Sequence, residues 1–150
     1  MDPLQRARGY CARQERAASE VRAKLEEWGV SQRRVRTILR KLDQEGFLDE
    51  RRFAETFAVS KLRQKGWGRR KITHALRTKQ VDEATILSGL SRIDAGEYRD
   101  LLLKILDKRW RMERGSTDAV RSMRVERHLI GRGFEPDLVR QALLGMLRTS

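Results

Sequence analysis

One apolar pattern occurs three times along the chain, and it constrains the fold more than any other feature. In VRAKLEEWGVSQRRVRTILRKL, residues 21–42, the pattern is Val21, Leu25, Val30, Val35, Leu39 and Leu42. A shift of 51 residues turns it into Ile72, Leu76, Val81, Ile86, Leu90 and Ile93. A shift of 104 gives Val125, Leu129, Phe134, Val139, Leu143 and Met146. All eighteen positions are apolar. Self-similarity at a near-constant period marks a repeat architecture in which each copy is one supersecondary unit.

Each copy reads as a helix pair. Val21, Leu25 and Trp28 follow the i, i+4, i+7 spacing of one helical stripe. Gly29 comes next as a residue that can take positive φ and end a helix; Ser31 can cap the next one. Val35, Ile38, Leu39 and Leu42 form the second stripe, and Gly46 ends it. In the third copy Gly133 stops the first helix and Pro136 sits near the start of the second, where its fixed φ is tolerated; the middle copy has Gln80 where the others have glycine. A further helix precedes each pair: residues 4–14, residues 49–65 with Asp49 as cap and Phe53, Ala54, Phe57, Ala58 and Leu62 inward, and residues 95–113 with Leu102, Ile105, Leu106 and Trp110 inward. No run alternates with period two, so no strand is predicted.

The expected fold is therefore all-α: three tandem three-helix repeats over residues 1–47, 48–93 and 94–150. A unit of this size buries little apolar surface alone, so the repeats should lean on one another. An elongated module, straight or curved, with hinges near residues 47 and 94, is the expected result.

Charge narrows the partner. The 150 residues carry 34 Lys and Arg against 21 Asp and Glu, a formal net charge of +13. Such an excess points to nucleic acid, an acidic protein groove or an anionic membrane surface, or to nothing beyond solubility. Residues 1–50 carry eleven basic and nine acidic side chains, residues 51–93 eleven and three, and residues 94–150 twelve and nine. The middle repeat is the most basic, and KLRQKGWGRRKI, residues 61–72, holds six of its eleven cations.

That stretch should form the turn between the first two helices of the middle repeat. Ile72, Ala75 and Leu76 face inward on the following helix, leaving Arg70, Lys71, His74 and Arg77 outward. Helix N-termini attract anions, and cations there oppose the helix dipole. Their presence argues for a bound anion, although a solvated face has the same composition. Arg52 and Arg63, eleven residues apart, would share one face of the preceding helix. Trp67 can plug the helix junction, or stack on a base or fill a partner's pocket. The candidate binding residues are Arg52, Lys61, Arg63, Lys65, Trp67, Arg69, Arg70, Lys71 and Arg77.

Other chemistry is not indicated. Cys11 is the only cysteine, which excludes an intramolecular disulfide and fits a reducing compartment. His74 and His128 are isolated on helices, as surface or packing residues, and do not have zinc-site spacing. Neighbouring carboxylates such as Glu26 and Glu27, or Asp49 and Glu50, diverge on a helix. No phosphate loop or Ser/His/Asp set is present, so neither an enzyme, a metal site nor a cofactor is expected. The N-terminus lacks the apolar run of a signal peptide, and no apolar run is long enough for a membrane span. A cytoplasmic protein is the expectation.

The stretch LDERRFAETFAVSKLRQKGWGRRKITHALRTKQV, residues 48–81, resembles the central signature of RecX proteins, bacterial regulators of the RecA recombinase. Leu48, Asp49, Arg52, Phe53 and Ala54 carry the match, followed by Gly66, Gly68, Ile72 and Leu76. LEEWGVSQRRVRTILRKLDQEGF, residues 25–47, resembles the family's first repeat. Arg69 departs from the proline common after the second glycine, and Gln80 from a glycine before Val81. The resemblance implies a monomer without cofactor that binds in the groove of the RecA filament on single-stranded DNA. It implies inhibition of ATP hydrolysis, strand exchange and co-protease activity, and so a role in DNA repair and the SOS response.

Two other classes compete with that reading. Helix pairs joined at Gly29 and Gly133 resemble helix-turn-helix elements, which would make the chain a stand-alone DNA-binding module. DEATILSGL, residues 82–90, argues against base readout, because it offers two acids and no Arg, Lys, Asn or Gln. A scaffold that binds only proteins is the third.

Overall fold

The structure, a computed structural model, describes residues 1–115 and 117–149. Among them the chain forms nine α-helices and no strand. They are α1 (Pro3–Arg13), α2 (Ala18–Glu27), α3 (Gln32–Gln44), α4 (Glu50–Ser60), α5 (Arg69–Thr78), α6 (Glu83–Leu90), α7 (Ala95–Met112), α8 (Asp118–Gly131) and α9 (Pro136–Thr149). The expected three-helix order thus recurs three times. A π-helical turn, Lys61–Lys65, continues α4.

Burial explains the repeat. Of the eighteen patterned positions, fourteen are buried, and Val30, Leu39, Leu90 and Met146 are half-buried. Each fully buried Leu or Val contributes about 2 kcal/mol relative to exposure. The helix pairs also turn alike: Gly29, Gln80 and Gly133 occupy corresponding positions at φ +77°, +63° and +96°. Gln80 is the one non-glycine residue with positive φ among the described residues. The caps fall where expected: Ser31 accepts from the Arg34 N–H, and Asp49 from the Arg52 N–H at 3.0 Å.

The chain packs into two compact units. The first comprises Met1–Phe57 with Ala75–Ser91. Its core joins Ala7 and Cys11 of α1, Val21 and Leu25 of α2, and Val35, Ile38 and Leu42 of α3, with Leu48 beside them. Burial pushes the Cys11 thiol pKa up. Within this unit α6 lies on the backbone of α4: a β-carbon on Gly89 would stand 2.8 Å from the Ala54 carbonyl carbon and oxygen. The start of α2 is closed by two carboxylates, Glu20 accepting from the Ala17 N–H at 2.9 Å and Glu50 from the Ala18 N–H at 2.6 Å. The other Glu50 oxygen is buried without a hydrogen-bond partner among the described residues. Burial holds this carboxyl pKa above the ordinary glutamate value, the Ala18 N–H opposing the shift. The turn after α5 docks on α2, where the Ser19 hydroxyl donates to the Lys79 carbonyl at 2.6 Å and the Lys79 ammonium meets Glu20 at 3.0 Å.

The second unit comprises Ala58–His74 with the chain from Arg92 onward. Leu62 and Ile72 are buried in it, together with Tyr98, Leu102 and Leu106 of α7, Val125 and Leu129 of α8, Phe134, and Val139 and Leu143 of α9. The Tyr98 and Phe134 rings pack at 5.3 Å, tilted by 48°. Arg121 donates to the Trp110 carbonyl at 2.6 and 2.8 Å, satisfying the C-terminal end of α7.

Candidate functional site

The basic stretch 61–72 forms the α4–α5 junction, inside the second unit. The π turn ends at Gly66, in the left-handed region at φ +65°. The Gly66 and Trp67 N–H groups close back onto the Leu62 and Lys61 carbonyls at 3.0 and 3.2 Å. Gly68 has a different task. A β-carbon there would stand 2.3 Å from the Phe134 nitrogen and 2.4 Å from the Gly133 carbonyl carbon and oxygen. Conversely, a β-carbon on Gly133 would meet that of Lys71 at 2.4 Å. The two backbones touch, and only glycine allows it.

That approach satisfies the start of α5. The Gly68 N–H donates to the Arg132 carbonyl at 2.8 Å and the Arg70 N–H to the Gly133 carbonyl at 3.0 Å. The Arg69 N–H donates to the Tyr98 hydroxyl at 3.0 Å, and that hydroxyl donates in turn to Glu135. Arg69 closes the circuit: its guanidinium meets Glu135 at 2.8 Å and lies 3.9 Å over the Tyr98 ring. Burial, then the Glu135 carboxylate, raises the Tyr98 pKa. The Gly68, Arg69 and Arg70 N–H groups at the start of α5 are thus bonded to the protein's own acceptors.

Several candidates are held in internal ion pairs. Arg63 makes a paired contact with Glu97 at 2.6 and 3.0 Å, which raises the pKa of Arg63 and lowers that of Glu97. In the first unit, Arg52 donates to Glu15 at 2.6 Å and to the Gly46 carbonyl at 3.0 Å, and Arg77 to Glu83 at 2.6 Å. Arg52 thus belongs to the first unit and Arg63, inside the π turn, to the second. Trp67 is partly buried, with the Lys61 and Lys71 ammonium groups 5.1 and 4.8 Å from its ring centre. Lys65 and Arg70 are exposed, and neither has an ion-pair partner among the described residues. The junction thus brings Lys61, Lys65, Trp67, Arg70 and Lys71 together as its polar rim.

Sequence reasoning missed the residues that build this junction from the far side: Tyr98, Arg132, Gly133 and Glu135. Arg132 donates from Nη1 to the Lys65 carbonyl at 2.9 Å and from Nε to His128 Nε2 at 3.1 Å. The signal available was the pair Gly66 and Gly68, two glycines in a turn needing only one positive φ. Among the described residues no group of three or more His, Cys, Asp or Glu side chains could hold a metal ion, and no helix is long and apolar enough to cross a membrane.

Tandem three-helix units of this kind define a class of all-α protein. Family models described as the second and third three-helix domains of RecX match residues 49–90 and 97–143. The chain belongs to the RecX family. It is 32% identical over 131 residues to "Regulatory protein RecX" of Mycobacterium sp. (strain KMS), covering 85% of this chain and 72% of the relative. The corresponding protein of Prosthecochloris aestuarii is 31% identical over 140 residues, covering 93% and 90%. The crystal structure of RecX from Lactobacillus salivarius superposes with a TM-score of 0.87 at 17% identity, over 95% of this chain and 93% of that one. A second RecX crystal structure gives 0.83 at 23% identity, over 94% and 71%.

Proposed function

We propose that this protein regulates the RecA recombinase by seating in the groove of its filament on single-stranded DNA. There it suppresses ATP hydrolysis, strand exchange and co-protease activity, and so tempers DNA repair and the SOS response in the cytoplasm. It acts as a monomer and by occupancy, without catalysis. Family membership carries this reading, since the matched relatives are named regulatory proteins. The cationic rim of the α4–α5 junction supports it: Lys65 and Arg70 are exposed and without ion-pair partners among the described residues, so they are available to phosphate or to acidic protein. Binding of successive three-helix repeats to successive filament subunits would add as avidity.

The test is RecA ATP hydrolysis on single-stranded DNA with the protein added. Inhibition is expected, and absence of inhibition at several-fold excess over RecA would overturn the reading. Lys65→Ala with Arg70→Ala should weaken filament binding. The log–log salt slope should fall by about 0.7 for each phosphate that is no longer neutralised.

A further inference from the structure

The second unit carries another cationic surface on the face shared by α7 and α8, meeting the α4–α5 junction where Arg132 donates to the Lys65 carbonyl at 2.9 Å. Two adjoining hollows lie there. One is lined by Arg109, Glu113, Arg124, Arg127 and His128, the other by Ile105, Lys108, Arg109, Met112, His128 and Arg132. Arg109 and His128 belong to both, so the hollows adjoin, and together they make up one trough-like surface. Five of its side chains are permanent cations and one, Glu113, is an anion. Glu113 is engaged by Arg109 at 3.0 Å and by Arg124 at 3.6 Å, which leaves the trough strongly positive. Lys108 and Arg127 are exposed and have no ion-pair partner among the described residues. The Arg109 Nε is buried without a hydrogen-bond partner among them.

We propose that this α7–α8 trough binds the phosphodiester backbone of a nucleic-acid strand. Arg124, Arg127 and His128 succeed one another along α8 and Arg132 caps its C-terminal end, at steps of one to four residues, a ladder rising about 1.5 Å per residue. A strand presents phosphates at regular intervals along its length, whereas carboxylates on a protein surface have no such repeat. Guanidinium groups suit phosphate in particular, through paired, charge-assisted hydrogen bonds. A trough also concentrates the field of its walls more than a flat face does. Ile105 lines the floor and Met112 is 63% exposed, giving base faces an apolar surface beside the charged track.

His128 supplies an independent signature. It accepts the Arg132 Nε–H at its own Nε2, so it is neutral with its proton on Nδ1. Burial, Arg109 and Arg132 depress its pKa, with Glu113 opposing them. The charged groups lining the hollows with it are Lys108 and Arg109 of α7, Glu113 just beyond that helix, Arg124 and Arg127 of α8, and Arg132 just beyond α8. A phosphate in the trough offsets those cations and favours the imidazolium. Strand binding therefore takes up a proton and tightens as pH falls through the histidine range.

Binding of a strand in the trough does not depend on RecA, so a bare strand tests it. Fluorescence anisotropy of a labelled oligo-dT with the full chain is measured across salt concentration and pH. Lys108→Gln with Arg127→Gln should weaken binding about tenfold and lower the log–log salt slope by about 1.4, two phosphates at about 0.7 each. His128→Gln should flatten the pH dependence. An unchanged slope in the folded double variant would overturn the proposal. So would a loss confined to Lys65→Gln with Arg70→Gln, or equal competition by polyglutamate, which would assign the trough to an acidic protein. Should the double variant fail to fold by circular dichroism, Arg127→Gln alone is decisive, with a slope change of about 0.7 expected and none overturning the proposal.

Discussion

Gly68 and Gly133 meet backbone to backbone, so close that a β-carbon on the first would stand 2.4 Å from the carbonyl carbon of the second. Sixty-five residues separate them in sequence, yet Gly68 must be glycine because of Gly133 and Phe134, and Gly133 because of Lys71, three residues beyond Gly68. The start of α5 is fastened there by the Arg132 and Gly133 carbonyls. Gly68→Ala must displace backbone, at a cost of about 1–3 kcal/mol. Gly133→Ala adds left-handed strain to a clash of its own, with the Lys71 backbone and β-carbon, and should cost more. Gly29→Ala is the control: its φ is +77° but nothing lies within 4 Å, so only about 1 kcal/mol of backbone strain is expected. Urea unfolding of the three variants checks the order.

Gln80 holds a position that glycine fills in the other two repeats. At φ +63° it carries a backbone cost that glycine would not, partly offset because glycine is freer when unfolded. Gln80→Gly should raise stability by about 0.5 kcal/mol, measured as a shift in the urea midpoint at constant slope.

Glu50 serves the fold better protonated than ionised. Folding raises its pKa, so the ionised form is what burial disfavours. The favourable contribution of the protonated carboxyl is complete below the unfolded value of 4.5 and is lost as pH rises through the higher folded value. Glu50→Gln, which mimics the protonated form, should therefore raise the melting temperature at pH 7, with the gain vanishing near pH 4. A gain that persists at pH 4 would mean the carboxyl is not the cause.

Tyr98 supplies the acceptor for the Arg69 N–H and the donor to Glu135. Tyr98→Phe keeps the ring against Phe134 but leaves that N–H without its acceptor. The expected loss is about 1–3 kcal/mol in unfolding free energy. Nucleic-acid affinity should not change, which separates this structural circuit from the exposed rim.

Helix order and core faces were legible because both follow from a local period. Val21 and Leu25 recur one turn apart, and the same spacing at Ile72 and Leu76 and at Val125 and Leu129 declares the same face. Side-chain partnerships were not legible in this way. Arg63 and Glu97 lie 34 residues apart and Arg69 and Glu135 lie 66 apart, so no local pattern couples them. Counting cations along the chain made residues 61–72 look uniformly available, whereas pairing withdraws Arg63 and Arg69 and leaves Lys65 and Arg70. The π turn at Lys61–Lys65 was hidden for a related reason. Its sequence is as compatible with an α-helix, and the close approach that positions Gly68 is set by residues beyond 130.

The repeat pattern changes over near residues 47 and 94, but the chain passes between its two packing units at 57–58, 74–75 and 91–92. A cut near 47 would divide the first core, and a cut near 94 would strip Leu62 and Ile72 from the second. The sequence repeats are therefore not autonomous packing units: each interior draws its residues from more than one repeat, so no repeat carries a complete interior of its own.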